Sequence, residues 1–118
     1  DGPQPLNEAN SSLAVDLFMI KINIFKIKKG KIQTWQKWCK LLNSKYKKEA
    51  LITLKQEGVT HESFSSFKLK SKTYVVAMSI GQHLPVDIKS KLNQKHRKVK
   101  KECLEYITAA DIDYYLKS

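Results

Sequence analysis

The sequence predicts an α+β protein, a ferredoxin-like βαββαβ domain with an antiparallel sheet and two helices on one face. Three observations predict it. Residues 20–27, 59–69 and 74–80 carry alternating or β-branched apolar residues, the pattern of strands. Two long stretches between and after them repeat their apolar residues at helical spacing, and glycine or proline stands at the joins.

Ile20, Ile22 and Ile24 alternate with Lys21 and Asn23, and Phe25 and Ile27 then move the apolar residues to the other side of the strand. Either a bulge or burial of both faces accounts for that switch. Lys28 to Lys31, with Gly30, is a turn. From Ile32 to Glu57, residues Ile32, Trp35, Trp38, Cys39, Leu42, Tyr46, Ala50 and Leu54 fall in one stripe at about 100° per residue, which predicts a single long helix. Lys37, Lys40, Lys47, Lys48 and Lys55 take its opposite side, and Gly58 supplies the stop, because glycine enters the left-handed region without a steric penalty.

Val59 to Leu69 reads as the second strand and Lys70 to Thr73 as a polar turn. Tyr74 to Ile80, the most apolar strand, belongs near the middle of the sheet. After the break at Gly81 to Pro85, residues Ile88, Leu92, His96, Val99, Cys103 and Tyr106 mark one face of a second helix, and Asp111 to Lys117 is the expected fourth strand, although seven residues do not separate a strand from a helix. Right-handed crossovers put both helices on one side of the sheet. The other side then needs cover, and a second copy of the sheet supplies it, so a homodimer is expected.

At 118 residues the chain suits one domain with one core. Residues 1–18 differ from the rest: they hold two prolines, no lysine or arginine, and Asn and Ser clusters. They read as a flexible N-terminal extension or an artificial leader before a native start at Met19, with the α/β domain over 19–118. There is no stretch of eighteen apolar residues and no signal-peptide pattern, so a cytoplasmic address and no membrane partner are expected. Cys39 and Cys103 each fall on an apolar helix face, where a free thiol behaves as a small buried hydrophobe.

The net charge of +11, from 22 Lys and Arg against 11 Asp and Glu, can attract nucleic acid, anionic membrane or acidic proteins, or can reflect an AT-rich genome that favours lysine codons. Arg97 is the only arginine, which weakens specific phosphate or base recognition. The nucleic-acid reading would use Lys91, Lys95, Arg97, Lys98 and Lys101 on the second helix. The aromatic strand motifs of RNA-binding ferredoxin-like domains are absent.

His96 and Cys103 stand seven residues apart, on one helix side but about 10 Å apart along the axis, too far for a nucleophile–base pair. The functional alternative to simple packing is a pocket between helix and sheet lined by Glu62, His96 and Cys103, with His96 titrating near neutral pH. Glu62 is a candidate general base if the side of the strand that carries Phe64 is buried, and a surface residue otherwise. His61, His83 and His96 have no metal-ligand spacing, and the four glycines at 2, 30, 58 and 81 form no phosphate loop, so neither metal nor cofactor is expected.

A further likeness rests on specific residues. A short Ile-rich strand runs into Gly30-Lys31, followed by Trp38 with Leu42-Asn43, then Glu49-Ala50-Leu51, Leu54 and Glu57-Gly58-Val59. Glu62 falls in the next strand, and His96, Glu102 and Cys103 in the second helix. This pattern, from Met19 to Ile107, resembles a family of small uncharacterised bacterial proteins of the dimeric α/β-barrel type. The resemblance implies a ferredoxin-like fold and dimerisation, and it implies no activity. The chain departs from the family in its longer segment between Pro85 and His96 and in its basic charge.

Overall fold

A computed structural model describes residues 20–118 of the chain. It is a mixed α+β architecture: β1 (Ile20–Ile27), α1 (Ile32–Leu42), α2 (Lys47–Gln56), β2 (Val59–Leu69), β3 (Lys72–Gly81), α3 (Lys91–Cys103) and β4 (Leu104–Ala109). The strands form one sheet in the order β2-β3-β1-β4, with every neighbouring pair antiparallel. Any leader over residues 1–18 lies outside the described residues.

β1 and β3 pair without interruption from Ile20↔Ile80 to Lys26↔Tyr74, so odd positions of β1 share a face and even positions share the other. Phe25 and Ile27 join Val75, Phe64 and Leu104 on the helix-covered face, where Trp35, Trp38, Leu92 and Cys103 complete the core. The apolar switch within β1 therefore reflects apolar residues on both faces, of which only the helix-covered one is packed in the core; Ile20, Ile22 and Ile24 on the other are half-buried. The register break lies in the β1–β4 pairing, between Ile24↔Thr108 and Phe25↔Tyr106, and Ile107 is the extra residue.

The expected single helix from Ile32 to Glu57 is two helices. Asn43 to Tyr46 interrupts it: the Ser44 hydroxyl donates to the Lys40 carbonyl at 2.6 Å, and the Ser44 and Tyr46 amides both turn back to the Leu41 carbonyl. Asn and Ser side chains compete with helical backbone bonds in this way. The apolar stripe survives because Tyr46 still packs on Trp38, with ring centroids 5.8 Å apart.

The expected fourth strand over Asp111–Lys117 is also corrected. No strand forms there, and β4 is Leu104–Ala109, entered directly from the last residue of α3. Leu104 already has extended dihedrals, and Tyr106 and Ile107 favour a strand, so the chain leaves the helix as soon as Cys103 is buried. Ile88 and Tyr106 consequently fall outside the helix whose face they were expected to mark. The helix starts at Ser90, whose hydroxyl accepts from the Asn93 amide at 3.2 Å.

The β2–β3 hairpin closes through Lys70 and Ser71, both with positive φ, between paired Leu69 and Lys72. At the other end of this pair two glycines let backbones cross. A Cβ on Gly81 (φ +152°) would lie 2.2 Å from the Gly58 carbonyl oxygen and 2.5 Å from the Val59 Cα. That contact seats the end of α2 against the sheet.

Candidate functional site

A cleft of about 700 Å³ lies between α2, α3 and the helix-facing side of β2. Its apolar part is built by Leu42, Ala50, Leu51 and Leu54 from the first two helices and by Leu92 from α3. Val86 and Ile88, half and largely exposed, stand at its mouth. The segment bearing them is tied to α3: the Asn93 side-chain amide donates to the Asp87 carbonyl at 3.1 Å, and the Gln94 amide donates to the Ile88 carbonyl at 2.8 Å.

The polar part comes from three elements. α3 presents Asn93, His96, Arg97 and Lys100, whose i, i+3, i+4, i+7 spacing keeps them on one face. Glu57 caps the end of α2, and Glu62 projects from β2 on the same side as Phe64. Phe64 packs against Trp35 with centroids 5.5 Å apart, so this is the covered side of the strand. Glu62 itself remains open to the cleft. Surrounding protein nevertheless raises its carboxyl pKa by desolvation; Lys100 opposes the rise and Glu57 adds to it. Glu57 is raised by the same cause, again opposed by Lys100. The two ion pairs among the described residues, Lys26–Glu105 and Lys31–Glu102, lie elsewhere, so Glu57, Glu62, Arg97 and Lys100 face the cleft without contact partners of opposite charge.

His96 is fixed on three sides. Its ring stacks on Trp38 and meets Phe64 edge-on, each with centroids 5.9 Å apart, and Trp38 Nε1–H donates to His96 Nδ1 at 2.8 Å. Nδ1 must be unprotonated to accept that bond, which leaves the proton on Nε2. Burial, with Lys100 adding to it, pushes the pKa down to about 4. The expectation that His96 titrates near neutral pH is thus replaced by a neutral imidazole whose one basic nitrogen is already engaged. It can offer Nε2–H as a donor, and it cannot take a proton from a ligand.

Glu62 and His96 both line the cleft, and Cys103 does not. Cys103 is fully buried in the core. Cys39 lines the cleft in its place, its thiol pushed up to about 11 by burial and, secondarily, by Cys103. Both cysteines are free. Of the five cations assigned to a nucleic-acid surface, Arg97 turns to the cleft, and Lys95 lies over the Trp38 ring at 5.7 Å and the Tyr46 ring at 6.0 Å. Lys91, Lys98 and Lys101 are exposed on α3. Sequence reasoning missed Glu57 and Lys100 as partners of Glu62; the only available signal was that Lys100 stands one helical turn after His96.

Residues 19–116 match a family described as a family of unknown function, DUF6176, and the chain belongs to it. No curated protein and no solved structure is significantly similar to the chain. No helix among the described residues is long and apolar enough to cross a membrane.

Proposed function

We propose that the chain is a ferredoxin-like protein of the dimeric α/β-barrel type that binds a small molecule in the cleft between its helices and sheet. The strand order supports the fold reading. With neighbours antiparallel, β1 and β2 run parallel with β3 between them, and β3 and β4 run parallel with β1 between them, which is the interleaving of two split βαβ units. α1 and α2 together then stand for the first helix. The dimer reading is supported by the second face of the sheet, where Ile20, Ile22, Ile24, Val76, Met78 and Ile80 make an aliphatic surface. A cytoplasmic compartment is in keeping with two free thiols.

One observation carries the binding reading: polar groups from separate elements, Glu62 and the fixed His96 foremost, line one concave, largely apolar cleft. The alternative, electrostatic nucleic-acid binding through α3, has charge alone behind it, and its most distinctive cation, the exposed Arg97, also lines the cleft. The test is native mass spectrometry and thermal-shift screening against a metabolite library, with Ala50→Trp and Leu51→Trp filling the cleft from two positions. Capture by the wild type and loss in either folded variant is the expected result. Equal capture by both folded variants removes the cleft from consideration, and salt-sensitive RNA or DNA binding without small-molecule capture favours the alternative.

A further inference from the structure

The charges of the cleft have an arrangement that says more about its ligand. Two carboxylates, Glu57 and Glu62, and two cations, Arg97 and Lys100, open onto it, and none is in an ion pair with another described residue. Both carboxyl groups and His96, one turn earlier on α3, feel the same Lys100, while Arg97 opens onto the cleft from the same helix face. Unpaired charges in a partly desolvated place are costly, and an occupant that supplies both counter-charges relieves them. A purely anionic head would satisfy α3 and be repelled by Glu57 and Glu62. A purely cationic head would have the reverse difficulty with Arg97 and Lys100. His96 repels neither sign while it is neutral, and its Nε2–H has no partner among the described residues.

We infer that the cleft binds a small zwitterion whose two charges share one carbon, an α-amino acid with an aliphatic or aromatic side chain. The ligand carboxylate lies toward Arg97, Lys100 and the His96 Nε2–H, and its ammonium lies toward Glu57 and Glu62. Its side chain lies along Leu51, Leu54, Val86 and Ile88, the apolar part of the same cleft. Charges held on one carbon fit carboxylates that share Lys100 as a neighbour, whereas a molecule charged at its two ends needs them well separated. This inference rests on the reading of the cleft as a small-molecule site.

Calorimetry on the full chain separates the halves of the ligand, using leucine, phenylalanine, 4-methylpentanoate (the acid alone) and 3-methylbutylamine (the amine alone). The amino acids are expected to bind, and each half-molecule to bind at least about tenfold more weakly. Glu62→Gln is expected to weaken leucine by about tenfold while leaving 4-methylpentanoate unchanged or tighter, and Arg97→Gln to weaken leucine and 4-methylpentanoate together. That opposite response distinguishes charge recognition from a general loss of the cleft. Binding of either half-molecule as tightly as leucine overturns the inference. So does library capture that the cleft-filling variants abolish but that includes no amino acid, and in that case the small-molecule reading stands. Loss of all capture overturns both.

Discussion

Trp38 decides what His96 can do. Its indole N–H holds Nδ1 as an acceptor, and its ring covers one face of the imidazole. His96 should therefore titrate at about 4 by NMR, and Trp38→Phe, which keeps a ring but removes the donor, should move that midpoint upward as water reaches Nδ1. The linked stability has a definite sign. Between pH 6.5 and about 4 the unfolded chain takes up a proton that the folded chain refuses. The stability from neutral His96 is thus complete above about 6.5 and is lost as pH falls toward 4, by at most about 3 kcal/mol. Glu57 and Glu62 act oppositely, since their raised pKa values make the folded chain gain stability as they protonate. Denaturation of wild type and His96→Gln across this range separates the terms: the decline on acidification should shrink in the variant. An equal decline in both assigns the acid sensitivity to other groups.

At the scale of elements, the joins are less forgiving than the helices and strands. Gly81→Ala drives a Cβ into the Gly58–Val59 backbone, which has no flexible side-chain atom to yield. Gly30 also has positive φ, but a Cβ there meets nothing within 4 Å. Gly30→Ala should thus cost only the left-handed penalty, about 1–2 kcal/mol, and Gly81→Ala more than about 3 kcal/mol in chemical denaturation. Comparable losses would mean that the crossing at Gly81 relaxes. The same elements mark what the sequence made legible. β2 and β3 could be read because β-branched and aromatic residues end at Gly58 and Gly81. The interruption after Leu42 could not, because Leu42, Tyr46, Ala50 and Leu54 keep a four-residue spacing across it. β4 was hidden because Val99, Cys103 and Tyr106 continue a helical stripe that the backbone abandons at Leu104. Glu62 and His96 were visible as chemistry-bearing residues on opposing elements. The Trp38–His96 bond joins positions 58 residues apart, which no local pattern encodes.

For the whole molecule, the aliphatic sheet face sets the expected assembly. Val76 lies opposite Ile24 in the middle of that face, and the nearby Lys26 is neutralised at 3.5 Å by Glu105. In the proposed dimer Val76→Lys places a charge in the interface, so light scattering should give twice the monomer mass for the wild type and the monomer mass for the folded variant. A wild type that remains monomeric on concentration removes the barrel reading, although the cleft, which faces the helices, would be unaffected. Family membership extends over almost the whole described domain, so helices and sheet belong to one matched unit.

The passage from α3 to β4 uses no linker: Cys103 is the last helical residue, Leu104 the first of the strand, and the Cys103 carbonyl accepts from the Lys28 amide at 2.8 Å. Such a joint has no slack, and strand side chains alternate sides. One glycine inserted between Cys103 and Leu104, with β4 shifted by one position, would turn Leu104 outward and point Glu105 at the core; two would restore the parity. The double insertion should accordingly melt at a higher temperature than the single one, which reverses the usual ranking in which a longer insertion does more harm.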